Sequence, residues 1–329
     1  MSYVPKVDVA ITTWNRRDSV VPAIESALAQ DVDGMRVVVY DNGSTDGTPE
    51  LCRDQFGEQI VYRRWEENRG RHANMTRAFT ESDADYLIMV FDDEELLPGA
   101  IGAMLGRAAD DPSAAFVAGR FLYRDADGTT MRESSLQAPV DYRPPAWMAG
   151  DDFIRMAYRS GAWTWICSVM FNRNVIGATK VLERDTPCDD AGLLLRSAMQ
   201  GPVLYLDRVT TTKTDGNLGE SIRDGLTEAE TLEARNVIRL SGILGLRHTL
   251  EKFLFFEAND HFTATERRAM LRDLDNFCAS LLGDRLADVR KVSDETKVRQ
   301  ELRESLDLVH GLRARTRLIR RSLRKGRPR

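Results

Sequence analysis

Cysteine and histidine are scarce in this chain. Cys52, Cys167, Cys188 and Cys278 stand far apart with no Cys-x-x-Cys pair, and the four histidines fall at no zinc-ligand spacing. This excludes a zinc ribbon or finger and leaves reduced thiols in a cytoplasmic protein as the simplest reading. No apolar run approaches the roughly 20 residues that cross a bilayer. Residues 1–9 carry neither an apolar core nor a cleavage site, so a secreted form is not expected. Internal repeats and low-complexity stretches are also missing.

Charge is plentiful but unevenly placed. With −5 overall and nine Arg or Lys residues in 313–329, residues 1–312 carry −14. The mixed Arg and Leu/Ile positions of that tail suit a helix resting on an anionic membrane, and a solvated tail is the competing reading. Nucleic acid is a poor partner, because the body is acidic and the tail has no aromatic residue for stacking. The 329 residues, 42% hydrophobic and 29% charged, suffice for one large α/β domain with an appendage.

The first 125 residues alternate strand and helix signals. Val7 to Thr13 is an apolar, β-branched run, after which Asp18 is placed to cap a helix reaching Gln30. Val37 to Tyr40 forms a second strand, and Thr48-Pro49-Glu50 starts a helix with a capping hydroxyl. Ile60 to Arg64, a helix over His72 to Thr80, and the strand Tyr86 to Phe91 follow. Apolar strands separated by helices imply a mostly parallel sheet covered on both faces, with its ligand at the carboxyl ends of the strands.

Asp92, Asp93, Glu94 and Glu95 emerge at one of those ends. Carboxylates this close repel one another unless a cation sits among them. Hard oxygen ligands suit Mg2+ or Mn2+ and hence a phosphorylated substrate. The plainer reading is that Glu94 and Glu95 complement a helix dipole. Asp41 leaves the second strand into the small-residue loop Asn42 to Thr48, where it is placed to accept the imide N–H of a uracil or thymine; an ordinary turn is the alternative. In the connector Glu67 to Asn74, Gly70 allows close backbone approach, and Arg71 offers bidentate hydrogen bonds to a phosphate or is simply solvated.

In this order the pieces resemble glycosyltransferase family 2, inverting sugar-nucleotide enzymes of the GT-A fold. Thr12-Thr13-Trp14-Asn15-Arg16, Asp41 with Asn42 to Thr48, Asn68-Arg69-Gly70-Arg71 through Asn74, Asp92-Asp93-Glu94 and Asp189-Asp190-Ala191-Gly192-Leu193-Leu194-Leu195-Arg196 match successive motifs. The resemblance spans 7 to 215, about two thirds of the chain. It implies a GT-A domain over 1–222, leaving a helical region over 223–312 and the basic tail over 313–329. It further implies a UDP- or dTDP-linked donor held by Thr12, Thr13, Asn15, Arg16, Asp41, Asn68, Arg71, Asp92 and Asp93. Asp92 and Glu94 would ligate Mg2+ or Mn2+, with Asp215 in place of the family's usual histidine and Lys213 as a rival source of positive charge. Asp190 would be the catalytic base.

The implied acceptor is a glycan or a lipid-linked sugar at the inner face of a membrane. Acceptor binding, self-association or membrane contact falls to the helical region, with apolar positions at Val237, Leu240, Ile243, Leu244, Leu250, Phe253, Leu254 and Phe255 and amphipathic runs over Thr265 to Leu282 and Thr296 to Leu312. Tyr142, Trp147, Tyr158, Trp163 and Trp165 either stack on sugar rings or pack in the core. Three other readings stand beside this one: a soluble natural-product acceptor, a catalytically silent nucleotide-sugar-binding scaffold, and a sugar-phosphate nucleotidyltransferase. The last lacks the Gly-rich triphosphate loop, since Thr12 to Arg16 contains no glycine.

Overall fold

The computed structural model describes residues 4–124, 131–134, 144–160, 164–177, 189–214, 243 and 245–289. It divides into two compact units. One comprises Met1–Ile154, Trp163–Arg184 and Leu193–Asp215; the other comprises Arg155–Ala162, Asp185–Gly192 and Gly216–Arg329.

The first unit is built on a sheet of nine strands among the described residues: β1 (Val7–Thr13), β2 (Met35–Asp41), β3 (Val61–Arg64), β4 (Tyr86–Phe91), β5 (Phe116–Arg124), β6 (Met131–Ser134), β7 (Trp147–Met148), β8 (Val169–Asn172) and β9 (Val203–Thr214). Their order is β3-β2-β1-β4-β8-β5-β9-β7, with β6 on β5. The first four run parallel, as expected from strands separated by helices; every residue of β1 is buried, whereas β3, Val61-Tyr62-Arg63-Arg64, is the partly exposed edge. β8 runs antiparallel between β4 and β5, while β5 and β9 pair in parallel.

Helix α1 (Val20–Leu28) buries Val20, Ala23, Ile24 and Ala27, one stripe at helical spacing, in the same core cluster as Val9, Ile11, Val37 and Val39. Each such Val or Ile side chain contributes about 1.5–3 kcal/mol on full burial. The expected cap at Asp18 is not formed: the helix starts at Val20, and no side chain caps it. Thr48 likewise opens α2 (Thr48–Leu51) differently from the expectation. Its hydroxyl donates to Asp46 Oδ1 (2.6 Å), the oxygen that also takes the Thr48 N–H (3.1 Å), so Asp46 rather than Thr48 serves the first amide. The remaining helices are α3 (Arg71–Glu81), α4 (Ala100–Ala108), α5 (Gly150–Ser160), α6 (Arg173–Ile176) and α7 (Asp189–Ala198).

The second unit holds a helical stretch over 245–252, a wide helical turn Phe253–Glu257 and α8 (Ala264–Val289). The run expected from Thr265 begins one residue earlier because Thr263 and Glu266 form a reciprocal capping pair. Glu266 N donates to Thr263 Oγ1 (3.2 Å), and Thr263 N donates to Glu266 Oε2 (2.9 Å). Arg247, only 4% exposed, is neutralised by Glu251 and by Asp275 (2.9 Å). Leu250, Phe253 and Leu254 are buried, but the wide turn leaves Phe255 half exposed. Val237, Leu240, Leu244 and Thr296 to Leu312 lie outside the described residues, as do Tyr142 and Trp163. Of the other aromatics, Tyr158 is core, its hydroxyl donating to Leu250 O (2.6 Å). Trp165 packs edge-on against Phe91, and exposed Trp147 donates to Asp111 (3.0 Å).

Candidate active site

Strand register assembles the site. Thr13 lies opposite Asp41, Asp41 opposite Arg64, and Thr12 opposite Phe91, so Arg64, Asp41, Thr13 and Asp92 reach the carboxyl edge of four adjacent parallel strands at nearly one level. Such an edge is where open α/β sheets bind ligands.

At this edge Asp41 is fully buried and wholly engaged. Its Oδ1 accepts Ser44 N (2.9 Å) and Ser44 Oγ (2.5 Å); its Oδ2 accepts the Tyr62 hydroxyl and lies 3.5 Å from Arg64 Nε. Burial, followed by the bond to Asp41, pushes the Tyr62 hydroxyl well above its ordinary pKa. Asn15 sits at φ 50°, a left-handed conformation that asparagine tolerates. There its N–H donates to Ser44 Oγ (2.8 Å) and its Oδ1 accepts Thr45 N (2.8 Å). Asn68 is likewise committed to neighbouring loops, accepting from Asn42 and Gly70. Thr12 and Thr13 are buried, Arg16 is half-buried, and Arg71 is exposed at the start of α3.

Asp92 is half-buried beside Asp93. The protein packed around it strips its carboxylate of water, and the charge of Asp93 adds to the effect, raising its pKa to about 7. Thr13, the Arg16 charge and the Trp14 N–H oppose that rise. The Thr13 hydroxyl lies near enough to do so without a hydrogen bond of normal geometry. Glu94 is 2% exposed. The turn that carries these acids is stitched to β9: Glu95 N donates to Thr212 Oγ1 (3.0 Å), Thr212 N to Glu95 O (2.9 Å) and Leu97 N to Thr210 O (2.9 Å). Arg124 pairs with the Glu95 carboxylate at 2.8 Å.

Among the described residues no three His, Cys, Asp or Glu side chains converge as a metal site. Asp215 lies outside those residues, and so does the side chain of Lys213. The donor chemistry nevertheless fits a hard divalent cation, because two neighbouring carboxylates at a strand end, one of them desolvated, are hard oxygen ligands. Asp189 and Asp190 occupy the first turn of α7, whose Leu193, Leu194 and Leu195 are buried.

Sequence reasoning missed Ser44, Tyr62, Arg64 and the Thr210–Thr212 stitch. The signal for Tyr62 and Arg64 was their spacing of two in a strand beside β2, which puts both on one face.

Residues 8–171 match the family model described as glycosyl transferase family 2. A curated relative from Campylobacter jejuni, GalNAc(5)-diNAcBac-PP-undecaprenol beta-1,3-glucosyltransferase, is 26% identical over 108 residues, 32% of this chain and 35% of the relative. The matched segments cover only 34% to 46% of the lengths of three such relatives. Two solved structures share the fold, which is the GT-A fold. S. aureus TarS 1-349 in complex with UDP-GlcNAc gives a TM-score of 0.54 at 14% identity over 98% of this chain and 90% of its own. The mannosyltransferase PcManGT from Pyrobaculum calidifontis in complex with GDP-Man and Mn2+ gives 0.54 at 16% identity, over 99% and 88%.

Proposed function

We propose, for a chain that belongs to glycosyl transferase family 2 and is a glycosyltransferase, a metal-dependent and inverting transfer from a nucleoside diphosphate sugar to an acceptor hydroxyl in glycan assembly. The observation that carries this reading is the in-register row of Thr13, Asp41 and Asp92 at the carboxyl edge of β1, β2 and β4. Such a row would set a base-side loop, braced by Asp41, and a phosphate-side acid cluster along one strand edge.

The loop Asn42 to Thr48 would take the nucleotide base, and Arg16 and Arg71 would face the phosphates. Asp41, expected to accept the base's imide N–H, is fully buried with both oxygens engaged and would act by bracing that loop through Ser44. Asp92 would hold the cation, with Glu94 and Asp215 completing the ligand set. Bound there, Mg2+ or Mn2+ would neutralise the diphosphate as it departs. Asp190 would receive the acceptor's hydroxyl proton as that oxygen bonds to the anomeric carbon and the bond from that carbon to the diphosphate breaks. A single displacement of this kind inverts the centre. An ordinary Asp, with a pKa of about 3.9, is a feeble base, so its contribution of about 10² to 10⁴ comes through positioning.

UDP-, dTDP- and GDP-linked sugars are all candidate donors, since the similar structures hold UDP-GlcNAc and GDP-Man. A polyprenyl-diphosphate-linked glycan is the favoured acceptor class, by analogy with the Campylobacter relative.

The test is calorimetric titration of UDP, dTDP and GDP into the full chain with Mn2+ and with EDTA, for wild type and Asp92→Ala. Binding that needs both Mn2+ and Asp92 supports the reading. Equal affinity with and without metal removes the cation from it.

A further inference from the structure

Two loops that a donor would bridge are fastened to each other by a residue so far given no role. Asn42 is 3% exposed. Its Nδ2 donates to Asn68 Oδ1 (2.8 Å), and its Oδ1 accepts the Arg69 N–H (2.9 Å). Asn68 Oδ1 also accepts the Gly70 N–H (2.8 Å), so one asparagine amide holds three consecutive residues of the connector directly or at one remove. The approach is close because Gly43 has no side chain: a Cβ there would stand 2.6 Å from the Glu67 carbonyl carbon.

The chain direction gives this clasp its meaning. Asn42 follows Asp41, the carboxylate that braces the base-side loop through Ser44. The clasped connector ends at Gly70, whose φ of 90° turns the chain into α3 at Arg71, the phosphate-side cation. A nucleoside diphosphate has a fixed reach from base to phosphates, so affinity depends on the separation of these two contacts. We propose that Asn42 is a positioning residue that sets the distance between the base-side loop that follows Asp41 and the phosphate-side Arg71, an assignment that rests on the donor reading above. Asn42 itself touches no substrate; it acts through Asn68 and Arg69.

The experiment compares nucleoside with nucleoside diphosphate. Uridine, thymidine, guanosine and their diphosphates are titrated with Mn2+ into wild type, Asn42→Ala, Asn68→Ala and the double variant, with binding read by NMR. Two lost hydrogen bonds predict about a tenfold or greater loss of diphosphate affinity in Asn42→Ala, with nucleoside affinity within about threefold of wild type. Exposed Asn68 removes the same contact from the other side, so its variant supplies the answer should Asn42→Ala fold poorly. The double variant is expected within about threefold of the weaker single variant, as for residues acting as one unit. Parallel loss of nucleoside and diphosphate binding, or no loss of either, overturns the assignment. A wild type that binds none of the diphosphates overturns the donor reading and the assignment with it.

Discussion

The Tyr62 hydroxyl donates to the buried carboxylate of Asp41, across two neighbouring strands and on the oxygen that Arg64 also approaches. A carboxylate with no exposed surface is held at the strand edge by neutral donors plus one partly exposed guanidinium.

Tyr62→Phe therefore leaves a buried acceptor short of one partner while keeping the ring in place. Unfolding stability is expected to fall by about 1.5–3 kcal/mol, the range for a hydrogen bond to a charged group. Urea titration checks this. A change below about 0.5 kcal/mol would show that the bond contributes nothing.

Gly43 and Gly47 both sit at positive φ, 80° and 89°, but in different surroundings. An added Cβ at Gly43 meets the Glu67–Asn68 backbone at 2.6 and 2.9 Å, whereas at Gly47 the nearest atom is 3.4 Å away on the flexible Arg17 side chain. Gly47→Ala should cost about 1–2 kcal/mol, the left-handed conformation alone. Gly43→Ala should cost more, by at least another 1 kcal/mol, because the connector has to move. Equal midpoints in denaturant for the two variants would contradict the close approach.

Asp190→Asn preserves shape at the first turn of α7 but cannot accept a proton. Turnover of the donor that the binding screen identifies is expected to fall about a hundredfold or more while diphosphate affinity holds. NMR of the product should show an anomeric configuration opposite to the donor's. Retention would rule out single displacement, and unchanged turnover would move the base to another acid.

Nine basic residues in 313–329 predict salt-sensitive binding to anionic vesicles, at about 1 kcal/mol per charge before screening. Sedimentation of the full chain and of a form ending at Leu312, with anionic and neutral lipids at low and high salt, reads this directly. Binding that survives the deletion would place the lipid contact elsewhere in the chain.

How far the sequence disclosed this protein differs from part to part. The parallel strands were readable because β4 is apolar throughout and β1 carries the apolar, β-branched run Val9-Ala10-Ile11, a pattern that a doubly covered strand sustains. The antiparallel direction of β8 was not, since Val169–Asn172 is as apolar as its neighbours and composition does not encode direction. The acids at the strand ends announced themselves as charge after an apolar run. Their supports did not, because Asn42 with Asn68 and Ser44 with Asn15 meet across 26 and 29 residues and each alone is an ordinary loop residue. Two helix starts were legible, at Thr48 and within one residue of Ala264, but their caps were not: Asp46 serves the Thr48 amide, and Thr263 with Glu266 caps α8.

The stitch between the acidic turn and β9 also limits how the chain can be divided. Residues 8–171 match the family model, yet the backbone partners of Glu95 and Leu97 and the parallel neighbour of β5 all come from 203–214. A fragment cut at the end of the match would bare one edge of β5, with Phe116 and Phe121 beside it, and release the turn that carries Asp92 to Glu95. The smallest piece that keeps this strand edge covered and the acidic turn fastened therefore extends through Thr214. Exchange of the matched segment between relatives should carry the ninth strand with it.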